Sequence, residues 1–211
     1  MSERKKPLIV FTKYSPYFVV DMEKLEDSKG NELPLKPVTA LCRCGHSMGK
    51  PYCDGTHSRY GIDGSKSEER VPYKWKDYWG EKITVHYNAG VCSHDGSCVK
   101  GLSSVFNINK RPWINPDKAS PEEIIEVIKR CPSGALAYSI DGVRYSDFYN
   151  GEPKIKMARK GPLEIYGGVI LKDDEGSVPE TLDHYTLCRC GHSKNKPFCD
   201  GNHLRNKFID A

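Results

Sequence analysis

The stretch CRCGHSMGKPYCDGTH, residues 42–57, returns as CRCGHSKNKPFCDGNH at residues 188–203. The offset is 146 throughout, without a gap, and it carries upstream: Pro7 falls on Pro153, Pro16 on Pro162 and Leu25 on Leu171. A repeat of roughly fifty residues marks a duplicated structural unit, not only a short motif. Ahead of each motif lie strand-like pieces, Tyr17-Phe18-Val19-Val20 and Leu163-Glu164-Ile165-Tyr166. Turn signals at Ser28-Lys29-Gly30-Asn31 and Asp174-Glu175-Gly176-Ser177 separate these pieces from the cysteines. Each unit therefore reads as a short-stranded β module carrying a loop of metal-binding residues.

Composition narrows the rest. The chain has 211 residues, of which 37% are hydrophobic, and its mean hydropathy is -0.62. One large core is not expected from so little apolar material; small units held by metal fit better. The formal charge of +4, from 32 basic and 28 acidic residues, is too mild to argue for nucleic acid. No apolar run approaches the roughly 18 residues of a membrane span. The opening MSERKKPLIVFTKYSPYFVV lacks the apolar segment and cleavage site of an export signal. The expected location is the cytoplasm. The nine cysteines, an odd number, exclude a complete disulfide framework and fall into three groups of three: Cys42, Cys44, Cys53; Cys92, Cys98, Cys131; and Cys188, Cys190, Cys199. Three metal sites are expected, each short of one ligand.

Between the repeats the pattern changes. Residues 61–80 are polar, aperiodic and then aromatic, and read as a linker. A third unit is expected over 81–145, opening with the strand-like Lys82-Ile83-Thr84-Val85-His86-Tyr87. Ser120-Pro121-Glu122-Glu123 predicts a capped helix start, with Ser120 as cap, Pro121 in the first turn and Glu123 closing a capping box. Ile124, Val127, Ile128 and Cys131 share one helical face, and Pro132 stops the helix. Ala135 to Ile140 reads as a strand and Asp141-Gly142 as a turn. The expected domains are thus 1–60, 81–145 and 146–211.

Each outer motif is Cys-x-Cys-x8-Cys-x3-His. Thiolates favour zinc and iron–sulfur clusters. Cys42 and Cys44 are close enough to grip one metal, and Cys53 and His57 lie one helical turn apart, so they can face the same way. Asp54 is a candidate cap for that turn, and Gly55 lets the backbone approach closely. Two ligand pairs suit a two-iron cluster, while a Cys3His set also suits structural zinc. His46 and His192 are read as surface or hydrogen-bonding residues, and Lys50 and Lys196 as solvated lysines.

These residues resemble the CDGSH iron–sulfur domain family. The signature matches at Cys42, Cys44, Cys53-Asp54-Gly55-Thr56-His57, with Ser47 and Pro51, and again at Cys188, Cys190, Cys199-Asp200-Gly201-Asn202-His203, with Ser193 and Pro197. The resemblance implies two [2Fe–2S] clusters, each on three cysteines and one histidine. Cys42 and Cys44 would hold the inner iron and Cys53 and His57 the outer one; Cys188, Cys190, Cys199 and His203 take the same roles. Family members pair two such motifs about a two-fold axis, so two copies in one chain imply an internal pseudo-dimer and a monomer. Asn202 departs from the pattern, standing where a smaller residue is usual.

The middle unit resembles divergent single-cluster ferredoxins. Cys92-Ser93-His94-Asp95-Gly96-Ser97-Cys98 and the distant Cys131-Pro132 match the ferredoxin run, except that Asp95 stands where the middle cysteine belongs. The resemblance implies a cluster on Cys92, Cys98 and Cys131. It would be [4Fe–4S] if the Asp95 carboxylate takes the fourth iron, or [3Fe–4S] if that corner stays empty. His94 is the other option for the fourth ligand, though its place in the loop is off the family's pattern, and a degenerate site that binds nothing is the bland alternative. Trp75, Trp79 and Trp113 are read as packing anchors.

The expected architecture is α+β: two small β-rich CDGSH modules paired within the chain, and an α+β ferredoxin-like unit inserted between them. The expected function is single-electron transfer with a redox protein partner, without nucleic acid or membrane. The alternatives are a cluster donor or redox sensor using the histidine-ligated sites, and a zinc-stabilised interaction module. No phosphate loop or dinucleotide fingerprint points to an enzyme.

Overall fold

A computed structural model describes residues 6–210; the first five residues of the basic opening lie outside it. The first repeat forms β1 (Leu8–Val10), β2 (Tyr17–Val20), β3 (Leu25–Glu26), β4 (Val38–Leu41) and a one-turn helix α1 (His57–Tyr60). The middle unit follows with β5 (Trp75–Trp79), β6 (Thr84–Asn88), α2 (Ser97–Gly101), α3 (Pro121–Ile128), β7 (Leu136–Ile140) and β8 (Val143–Tyr145). The second repeat gives β9 (Lys154–Met157), β10 (Leu163–Tyr166), β11 (Ile170–Lys172), β12 (His184–Leu187) and α4 (Asn202–Arg205). The fold is mixed α+β, mostly sheet.

The two repeats are built into each other. One sheet has the order β11-β1-β2-β4 and the other β12-β10-β9-β3. The third strand of each copy has crossed to the sheet of the other: β1 pairs with β11 in parallel, Ile9 opposite Leu171, and β9 pairs with β3 in parallel, Ile155 opposite Leu25. Alone, each copy would keep an open edge at its first strand; the exchanged strand covers it. The inward side chains follow the repeat: Ile9 and Ile155, Val19 and Ile165, and Leu41 and Leu187 are all buried in one shared core. Each such side chain contributes about 1.5–3 kcal/mol on burial.

The middle unit is a four-stranded antiparallel sheet, β5-β6-β7-β8, against which α3 packs. The Ser120 hydroxyl accepts from the Glu123 amide at 3.3 Å while the Glu123 carboxylate accepts from the Ser120 amide at 2.9 Å, the reciprocal cap that the sequence predicts. Ile124, Val127 and Ile128 face the core. The helix ends at Ile128, so Cys131 sits in the turn beyond it and not in its last turn. Asp141 and Gly142, at φ 50° and 78°, form the two-residue hairpin between β7 and β8.

Two expectations are corrected. Residues 75–79, read as the end of a 61–80 linker, are the edge strand β5, paired Trp75 to Asn88 through Trp79 to Thr84. The middle unit therefore begins before residue 81. An edge strand with one buried side chain, Tyr78, has no apolar alternation to read. Trp79 is also not a packing anchor: it is 76% exposed on that edge. Trp113 does anchor, edge-on against Tyr87 at 4.9 Å and Tyr78 at 6.3 Å. Trp75 is half-buried, its indole donating to Glu180 at 2.6 Å beneath Arg144. Among the described residues, no helix is long and apolar enough to cross a membrane.

Candidate metal centres

The strands β4 and β12 deliver Cys42 and Cys188 to the point where the two copies meet. The next cysteines, Cys44 and Cys190, face each other across an antiparallel bridge. Gly45 and Gly191 follow them at φ 81° and 82°. A Cβ on Gly45 would stand 2.5 Å from the Cys190 oxygen, and one on Gly191 2.5 Å from the Cys44 oxygen. Only glycine satisfies both the conformation and the approach. Between each cysteine pair lies a buried arginine that sequence reading passed over. Arg43 donates to the Thr12 oxygen at 2.8 Å and sits over the rings of Phe11 and Tyr17. Arg189 donates to Gly161 and Ala158 oxygens at 2.7 and 2.8 Å and pairs with Asp210. Its signal was there: the same arginine between two cysteines in both copies.

The donors come as pairs. Sγ of Cys42 and Cys44 are 3.7 Å apart, as are those of Cys188 and Cys190. Two thiolates on one tetrahedral metal at about 2.3 Å would stand about 3.8 Å apart. The second pair joins thiol to imidazole: Cys53 Sγ to His57 Nδ1 is 3.1 Å, and Cys199 Sγ to His203 Nδ1 is 3.4 Å. Each motif thus presents two donor pairs, one thiol–thiol and one thiol–imidazole.

The charges fit the same reading. The Cys44 thiol's hydrogen bond holds Cys42 well below the usual thiol range, and Cys190 does the same for Cys188. Burial pushes Cys53 and Cys199 up, so a nearby cation is needed before these thiols ionise. Backbone amides already aim at the sulfurs: His46 at Cys44, 3.4 Å; Gly55 at Cys53, 3.5 Å; Gly201 at Cys199, 3.5 Å. Asp54, expected to cap the helix, clamps the loop instead, accepting from Met48 at 2.8 Å and Thr56 at 3.0 Å; Thr56 occupies the cap position. Asp200 accepts from Lys194 and Asn202 in the same way. His46 and His192 are exposed, and His46 stacks on Tyr60 at 4.3 Å.

The central cysteines lie where β6, α2 and the turn after α3 meet. Burial raises Cys92 to about 11 and Cys98 to about 12, and each also feels Cys131. Tyr87 lies against Cys92, an interaction with no sequence signal. Asp95 is exposed, and one oxygen accepts from the Ser97 amide at 3.1 Å, at the start of α2. On the facing strand β10, Glu164 is buried and accepts from the Tyr166 hydroxyl at 3.2 Å; burial raises its pKa, and the Asp95 charge adds to the rise. His94, weighed as a central ligand, turns instead toward the second repeat, where its ring lies against Gly201.

Comparison with known proteins agrees with this layout. The family model described as "Iron-binding zinc finger CDGSH type" matches residues 14–58 and 160–204. The model described as "Divergent 4Fe-4S mono-cluster" matches residues 78–141. The chain is 45% identical over 64 residues to the uncharacterized protein YjdI of Escherichia coli K12, covering 30% of this chain and 84% of that protein. The YjdI of E. coli O157:H7 matches to the same extent. No solved structure matches.

Proposed function

Because the chain belongs to the CDGSH-type iron-binding family, with a divergent 4Fe–4S mono-cluster unit between its two copies, we propose that this iron–sulfur protein is a single-electron carrier. In this reading Cys42, Cys44, Cys53 and His57 hold one [2Fe–2S] cluster, and Cys188, Cys190, Cys199 and His203 hold a second. Cys92, Cys98 and Cys131 hold a third centre of [3Fe–4S] or [4Fe–4S] type, with Asp95 as the candidate fourth ligand. The observation that carries it is the recurrence, in both copies, of a thiol pair at 3.7 Å beside a thiol–imidazole pair.

When bound, such clusters supply one-electron chemistry. What the chain's own residues do is tune and shield. Neutral imidazole in place of a thiolate makes a site less negative and raises its potential, and the amides of His46, Gly55 and Gly201 act in the same direction by donating to sulfur. Arg43 and Arg189 tie each cysteine pair to its own sheet, which keeps ligand geometry fixed as charge changes. The partner is a redox protein, and the chain acts as a monomer with its CDGSH pair internal; no substrate-binding motif argues for an enzyme.

A second reading, donation of a cluster to another protein, draws on the half-exposed Cys53–His57 edge. Iron, acid-labile sulfide and zinc analysis of anaerobically purified protein tests the proposal. About seven or eight irons per chain are expected with all three sites filled, and about four with only the outer two. Zinc without sulfide would overturn it. Reversible cycling of the centres in a potentiometric titration separates the carrier from the donor.

A further inference from the structure

The duplicated sites share a sequence but not an environment. Gly55 and Gly201 occupy the same place in the two motifs, at φ 84° and 80°. Nothing lies within 4 Å of where a Cβ on Gly55 would stand, whereas a Cβ on Gly201 would run into the imidazole of His94. His94 belongs to the loop between Cys92 and Cys98 and is itself held at φ 55°. Cys199 and His203 are 2% and 6% exposed, while Cys53 and His57 are only half-buried.

A second contact fastens the same face. The Asn195 side chain donates to the Gly90 oxygen at 2.9 Å, fully buried, just ahead of Cys92. The first motif has Gly49 at that position and so no such anchor. A cleft of about 460 Å³ runs along the seam, with Tyr87 and His94 on one wall and Asp200, Gly201 and Arg205 on the other.

We infer that the two copies have divided their roles: the centre at Cys188, Cys190, Cys199 and His203 exchanges electrons inside the chain with the centre at Cys92, Cys98 and Cys131, with His94 on Gly201 as the positioning contact. The site at Cys53–His57 is the one open to external redox proteins. This rests on the cluster reading above. The step is the passage of one electron from the reduced member of the internal pair to the oxidised one; no bond is made or broken. The external reductant or oxidant is a one-electron protein carrier meeting the first site.

Electron paramagnetic resonance of the whole chain tests this, on anaerobic protein fully reduced with excess dithionite, so that both members of the internal pair carry unpaired spin. His57→Cys and His203→Cys identify which CDGSH signal belongs to which copy. The signal that moves with His203→Cys is expected to be the broader, through magnetic coupling to the nearby central centre. His94→Ala should change the width of that signal and leave the first one as it was. Equal widths, or broadening on the first copy's signal, overturn the inference, as does iron content that stops at about four. If His94→Ala does not load, the width comparison in the unmodified chain decides alone. A preparation lacking iron and sulfide overturns the cluster reading itself, a different result from full iron with two equivalent signals.

Discussion

The main-chain oxygen of Cys190 stands 2.5 Å from the point where a Cβ on Gly45 would lie, and Cys44 stands in the same relation to Gly191. The two metal loops are thus back to back at their inner cysteines, with no room for a side chain between them. Cys44 and Cys190 are each packed against the main chain of the other copy.

Gly45→Ala should therefore be severe. The left-handed conformation alone costs roughly 1–2 kcal/mol for a side chain, and the clash adds to it. Gly30, at φ 87° with nothing within 4 Å, is the control, since Gly30→Ala meets only the conformational cost. Thermal unfolding of the loaded protein should drop by about 2–4 °C per kcal/mol, with Gly45→Ala well below Gly30→Ala. Equal midpoints would refute the close approach.

Acid should empty the two CDGSH sites in order. Burial lowers the pKa of His203, with His94 and Arg189 adding to it, so the neutral, ligating imidazole persists to lower pH than in a free side chain. A histidine with a depressed folded pKa loses its stabilising contribution as pH falls from about 6.5 toward the folded value, because the unfolded chain then binds the extra proton. The first site is the more open one: Cys53 and His57 are half-buried, while Cys199 and His203 are almost fully covered. Visible absorbance followed during acidification should decay in two phases, and His57→Cys should remove the earlier one. A single phase unaffected by His57→Cys would count against this.

Cys131 lies three residues past the end of α3, whose first turn is held by the Ser120 cap. Ser120→Ala removes the hydroxyl that accepts from Glu123 and should cost about 1 kcal/mol. Central-site iron should be lost faster in chelator, while the outer sites keep theirs. Uniform loss from all three sites would argue that the helix does not support the central one in particular.

Asp95→Cys places a thiol where the ferredoxin run has its middle cysteine. It sacrifices the carboxylate's bond to Ser97 and should convert the central centre to a longer-lived four-iron form. The measurement is the loss of any three-iron resonance together with slower bleaching in air. An unaltered spectrum would place residue 95 away from the cluster.

Much of the local structure could be read directly. The strands Tyr17–Val20 and Leu163–Tyr166, the Ser120 capping box and the Asp141-Gly142 turn all depend on neighbours a few residues away. So does the pairing of Cys53 with His57, four positions apart. The strand β5 escaped because its pairing is a backbone matter on a sheet edge, which leaves no apolar period. Arg43 and Arg189 escaped because burial of an arginine is decided by carbonyls far away in sequence, such as Thr12 and Gly161. Glu164 and Tyr87 escaped for the same reason.

By itself, the sequence determined the duplication and the different unit between its two copies, since spacing alone sets which side chains a short loop can present together. Only the tertiary structure decided that the third strands change places between the copies. Only it decided that Gly201 is covered by His94 while Gly55 faces open space. Two nearly identical motifs carry no record of what packs against them; that is set by long-range contacts, which bury one histidine and leave its twin half-exposed.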